Sequence, residues 1–135
     1  MAEYVFAELA RRAGREDEFA VASAATSREE IGNDMYPPAK SCLRAHGIPF
    51  SRRHARQVTR ADYDDYDLLV IMEEYNRRNL RRIIPDDPQG KVRTLMSFTG
   101  RDRDVADPWY TDDFETAYDD ILRGCTALLE SLTDA

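Results

Sequence analysis

Asp107 stands directly before a proline in the string Asp107-Pro108-Trp109-Tyr110, the densest group of chemistry-bearing side chains in the sequence. A residue before proline is biased to extended backbone. Trp109 and Tyr110 could wall a pocket for a flat ring, and the plainer reading is a surface loop tied down by aromatic packing. Two other polar pairs, Thr26-Ser27 and Glu73-Glu74, also follow apolar runs. Arg77, Arg78, Arg81 and Arg82 fall on one side of a helical pattern and could hold phosphate or RNA backbone. With Glu73 and Glu74 one turn upstream, a solvated, ion-paired face accounts for them better.

The remaining candidates are thiols and imidazoles. Cys42 and Cys125 lie far apart with no Cys-x-x-Cys pair, and both fall on apolar helical stripes, where a thiol acts as a small hydrophobe. Neither has the electropositive, glycine-rich setting that lowers a thiol pKa. His46 sits near a helix C-terminus and His54 lies within Arg52-Arg53-His54-Ala55-Arg56-Gln57; the two histidines show no recognisable ligand spacing. No metal or cofactor is expected.

The elements that must position these groups alternate between helical and extended patterns. Ala2, Val5, Phe6, Leu9 and Ala13 recur at helical spacing with Gly14 as a stop, and nothing upstream caps the first turn. Phe19 to Thr26 reads as a short strand. Pro37 and Pro38 suit the first turn of a helix carrying Ala39, Cys42 and Leu43 and ending at Gly47. Thr59-Arg60-Ala61-Asp62 is a capping motif that leads into Leu68-Leu69-Val70-Ile71-Met72, an apolar run of the kind buried on both faces of a parallel sheet. Glu73 to Ile84 predicts a charged helix stopped by Pro85, and Lys91 to Phe98 a further strand. The final helix has the clearest stripe, from Phe114 through Ile121, Leu122, Cys125, Leu128 and Leu129 to Leu132. Such alternation predicts an α/β fold, a parallel sheet with helices on both faces, whose ligand sites lie in loops after the strands.

The 135 residues suit one domain, residues 1–135. A formal net charge of −7 at pH 7 disfavours broad adhesion to nucleic acid or anionic membrane. The sequence contains no apolar run long enough to cross a bilayer. A cytoplasmic protein with no nucleic-acid or membrane partner is expected.

Six strings then fall into order: Met1-Ala2-Glu3-Tyr4-Val5-Phe6, Ala22-Ser23-Ala24-Ala25-Thr26-Ser27, Ile31-Gly32-Asn33, His46-Gly47-Ile48-Pro49, Ala55-Arg56-Gln57 and Asp107-Pro108-Trp109-Tyr110. Together with Asp113-Phe114-Glu115 and Gly124-Cys125 they resemble the low-molecular-weight protein tyrosine phosphatase family over nearly the whole chain. The thioredoxin-coupled arsenate reductases, on the same fold, are less similar and would need a redox cysteine pair.

The resemblance implies a parallel sheet of four strands in the order 2-1-3-4, with a Cys-x5-Arg phosphate loop between strand 1 and helix 1. Its thiolate attacks phosphorus, and its backbone N–H groups and arginine hold the oxygens. Met1 matches the first turn of that helix, so central strand 1 and the loop are expected to be missing, with the sheet rearranged or segments exchanged in a homodimer. Six positions after Cys42 stands Ile48, and six after Cys125 stands Ser131, so neither completes the motif. The resemblance assigns Asp107 as the general acid for the leaving phenol of phosphotyrosine, vestigial without a nucleophile, and Trp109 and Tyr110 as its aromatic neighbours at the substrate. Glu29 stands where many relatives carry an aromatic residue at the mouth of the site. The expectation is a phosphatase homologue, with a phosphotyrosine protein as partner where the family function survives, inactive in this form; the alternative is a pseudo-phosphatase that binds a partner or assembles with itself.

Overall fold

The computed structural model describes residues 1–26, 35–51, 56–106 and 113–132. Helix α1 (Ala2–Arg12) buries Val5, Phe6 and Ala10 and gives way to Gly14 at φ 71°, a left-handed position that glycine adopts without a Cβ clash. Glu8 is buried on the same helix, where Arg11 (2.5 and 2.8 Å) and Arg12 (3.1 Å) hold its carboxylate. Pro37 and Pro38 open α2 (Pro37–Ala45), and Gly47 follows it at φ 69°. The predicted capping motif forms at α3 (Arg60–Asp65): the Thr59 N–H donates to Asp62 Oδ2 at 2.7 Å.

Strand β1 (Leu69–Ile71) runs into α4 (Glu74–Leu80) and pairs in parallel with β2 (Val92–Thr94), Leu69 opposite Val92 and Ile71 opposite Thr94. Side chains alternate across a strand, so Leu68, Val70 and Met72 pack on a core shared by α1, α2 and the C-terminal helix α5 (Phe114–Ser131). Leu69 and Ile71 join the opposite cluster with Val58, Tyr63, Leu80 and Ile84, under α3 and α4. Helices therefore cover both faces, and the fold is α/β with a parallel sheet.

Three extended or helical expectations are corrected. Of residues 19–26 only Ala25 pairs, in a parallel bridge to Gln57 (Ala25 N–H to Arg56 O, 2.7 Å; Val58 N–H to Ala25 O, 2.8 Å), because no longer partner lies beside it among the described residues. The strand predicted over 91–98 ends at Thr94 and turns into a 3-10 helix, Leu95–Thr99. Leu95 and Met96 are adjacent and both buried; a strand would send them to opposite faces, whereas the tighter turn keeps both inside. The helix predicted to Ile84 is regular only to Leu80, and turns carry the chain on to Ile84.

Among the described residues the outer edge of β1 is open. Because the Leu69 N–H donates to Lys91 O (2.9 Å), the peptide groups of Val70 face away from β2. No strand among the described residues pairs along that edge.

Candidate active site

The carboxyl end of β1 anchors the chain that leads towards the candidate site. Asn76 Oδ1 accepts from the N–H groups of Met72 and Glu73 (both 3.1 Å), which fixes the turn from strand into α4. The Val105 N–H donates to Met72 O at 2.9 Å, and the Glu74 N–H to Asp104 Oδ1 at 3.1 Å, so the chain after β2 returns across this turn. Thr94 Oγ1 donates to Asp102 at 2.7 Å. The strongest anchor comes from α5: Asp120 receives both terminal nitrogens of Arg103 (2.8 and 3.0 Å) and the Ala106 N–H at 2.9 Å. Asp120 is buried, and the Arg103 guanidinium, joined by the Ala106 N–H, holds its carboxyl below the usual range against the opposing effect of burial.

The strap 102–106 thus holds the chain at the carboxyl end of β1 one residue before Asp107. Asp107, Trp109 and Tyr110 themselves lie outside the described residues, as do Ser27, Glu29 and His54. Sequence reasoning missed Arg103 and Asp120. A signal existed for Asp120, which lies three residues after Ala117 and four before Gly124 on the buried face of α5, a carboxylate on an apolar stripe.

The thiols are placed as small hydrophobes. Cys125 is buried among α1 and α5 residues, and burial pushes its pKa up to about 12. Cys42 is pushed up to about 11 by burial and by the Glu115 carboxylate. The histidine spacing that looked uninformative acquires a partner through the fold: His46, one turn after Cys42, lies 2.6 Å from Glu115 at the start of α5, with its ring stacked on Tyr118 at 3.8 Å. Among α4's arginines, Arg77 pairs with Glu74 (3.3 Å) and Arg78 lies over the Tyr75 ring, in keeping with an ion-paired exposed face.

A parallel sheet with helices on both faces, and a segment, 102–106, strapped to the carboxyl end of a strand, define an α/β domain. The sequence model for low molecular weight phosphotyrosine protein phosphatases matches residues 1–135, and the chain belongs to that family. It is 38% identical to the low molecular weight phosphotyrosine protein phosphatase of Pongo abelii, covering 96% of this chain and 85% of the relative. It is 34% identical to the low molecular weight protein-tyrosine-phosphatase YfkJ of Bacillus subtilis over 98% of this chain and 86% of the relative. The crystal structure of YfkJ superimposes with a TM-score of 0.91, covering 98% of this chain and 84% of that one.

Proposed function

We propose that these 135 residues form one cytoplasmic domain that keeps the acid side of phosphotyrosine chemistry and holds no nucleophile of its own. In this reading Asp107 is the general acid that would protonate a leaving phenolate, and Trp109 and Tyr110 flank the aromatic ring of a phosphotyrosine protein. The observation that carries the reading is the state of the two thiols. Both are buried with pKa values pushed to about 11 and about 12, so neither is a thiolate at neutral pH, and neither begins a Cys-x5-Arg motif. An acid without a nucleophile cannot form the covalent phosphoenzyme. A polypeptide of these 135 residues therefore leaves an aryl phosphate at the solvent rate of hydrolysis. Turnover that needs Asp107, tested with Asp107→Asn, and that survives replacement of both cysteines would overturn this reading.

The open edge of β1 supports a second role, self-assembly. Backbone groups at Val70, which face away from β2 and pair with no strand among the described residues, are flanked by the apolar Leu68 and Met72 and offer a template for another extended segment. A homodimer that pairs or exchanges segments along this edge would cover it. Sedimentation equilibrium is expected to show a dimer; a monomer across the accessible concentration range would exclude this role.

A further inference from the structure

Away from the strap, three potential metal ligands converge where the end of α2 meets the start of α5. Cys42 Sγ lies 3.7 Å from Glu115 Oε1, His46 Nε2 lies 2.6 Å from Glu115 Oε2, and the three ligand atoms all fall within 4.8 Å of one another. From these distances we infer a zinc-binding site formed by Cys42, His46 and Glu115, with solvent as the fourth ligand.

The geometry is close to what zinc requires. Zinc bonds of about 2.3 Å to sulfur and about 2.0–2.2 Å to nitrogen or oxygen place tetrahedral ligand atoms roughly 3.3–3.6 Å apart. The sulfur–carboxylate separation, to Oε1, already matches within a few tenths of an ångström, the His46 contact, to Oε2, needs to widen by less than 1 Å, and Cys42 Sγ and His46 Nε2 stand within 4.8 Å of each other. Cys42 lies in the last turns of α2 and His46 is its C-cap residue, four positions on, so both stand at the same end of the helix. The imidazole plane is set by its stacking on Tyr118. Glu115 is exposed and follows Asp113, whose side chain accepts from the Thr116 N–H at 3.0 Å and fixes the first turn of α5.

Access and charge agree with this assignment. An open surface depression lined in part by Ser41, Cys42, Phe114 and Glu115 leaves two of the three ligands reachable from solvent. Without a cation the thiol sits against a carboxylate, which keeps it protonated; a divalent ion reverses that preference. Binding releases the thiol proton to solvent and leaves a thiolate, a carboxylate and a neutral imidazole around Zn²⁺, a site of zero net charge. The bound ion would pin α2 to α5, two helices that share the main core.

Cobalt(II), which takes the same ligands and absorbs visibly, tests the site without an activity assay. Titration of the full chain is expected to saturate at one equivalent, with a thiolate-to-cobalt charge-transfer band that Zn²⁺ abolishes by displacement. Cys42→Ser should remove the band. Glu115→Gln changes an exposed side chain and His46→Gln a half-exposed one, so both should stay folded. Each should weaken zinc binding at least as much as the about 10–100-fold that loss of an outer-shell partner costs. No charge-transfer band in the folded wild-type chain would overturn the proposal, as would undiminished zinc affinity in folded Glu115→Gln. Because the readout is metal affinity, its failure leaves the assignment of Asp107 untouched.

Discussion

Gly124 of α5 stands so close to Leu95 that a Cβ built on it would lie 2.4 Å from Leu95 Cγ. The close approach explains two features together. The 3-10 helix Leu95–Thr99 seats its first residue directly against the α5 backbone, and glycine is tolerated in the middle of an 18-residue helix. Gly124→Ala gains about 1 kcal/mol of helix propensity, yet the clash falls on the branch carbon of a buried side chain with no room to swing away. A net loss of about 1–3 kcal/mol is expected, the usual cost of overpacking. Urea denaturation would show it as a lower midpoint with unchanged slope; a more stable variant would mean that the two elements do not meet in solution.

The stripe of α5 is graded. Ile121, Cys125 and Leu128 are buried, whereas Phe114, Leu122 and Leu129 are only partly so. Leu128→Ala should cost about 2–5 kcal/mol, as for a core leucine. Leu122→Ala should cost less than that and more than the roughly 0.5 kcal/mol of a surface change. Equal losses at the two positions would show that the helix is rotated from the orientation described.

Most helices were legible in the sequence because their signals are local. Pro37 and Pro38 before an amphipathic run, Thr59 and Asp62 in a capping box, and the stripe of α5 each identify an element from neighbouring residues alone. The extended segments were less legible, since a strand depends on what lies beside it. Phe19 to Thr26 has strand composition but among the described residues pairs only at Ala25, and Leu95-Met96 looked like strand until burial of both neighbours demanded a turn. Near the strap, the loop carrying Asp107 was singled out as a candidate from its residue types. Its anchor was not, because Arg103 and Asp120 are 17 residues apart and meet only through the packing of α5.

Asp120 makes that anchor sensitive to acid. Its carboxyl is held below its unfolded value of about 3.9, chiefly by Arg103. A depressed carboxylate stabilises the fold fully above its unfolded pKa, and that contribution disappears as pH falls through the folded value. Glu8, pushed down from 4.5 to about 2 first by its hydrogen bond to Arg11, adds a second contribution of the same sign. Thermal unfolding midpoints should therefore fall steeply below about pH 4.5. Asp120→Asn should lower the midpoint at pH 7 and flatten that acid limb, while an acid limb identical to wild type would show that Asp120 does not titrate with folding.

Asp87 organises the turn into β2 by accepting the Tyr63 hydroxyl at 2.6 Å and the N–H groups of Lys91 (2.7 Å) and Val92 (3.1 Å). The Tyr63 oxygen in turn accepts the Gln89 N–H at 2.9 Å. Asp87→Ala leaves these donors without their acceptor, at a cost of about 1–3 kcal/mol. Amide exchange should rise at Lys91 and Val92 before it rises in α5. Protection retained at both amides would mean that water replaces the carboxylate without loss.

The buried thiols should govern both chemical reactivity and the alkaline limit of the fold. With a pKa near 11, Cys42 is ionised to only about one part in a thousand at pH 8, and Cys125, near 12, still less. Neither should react with a thiol reagent in the native chain at pH 7–8, and both should react at once in denaturant. The same shifts set a stability window. A free cysteine ionises near about 8.5, so the stabilisation gained by keeping the thiols neutral is fully present below that pH. It is lost as pH climbs towards 11 and 12. Tyr63 and Tyr118, whose hydroxyls are also pushed up by burial, act in the same direction above about pH 10. Unfolding midpoints should decline from about pH 8.5 upward, and Cys125→Ala should make the decline shallower. Rapid native-state modification of either cysteine at pH 7 would show that a reactive thiolate exists in this chain, and would reopen nucleophilic chemistry within these 135 residues.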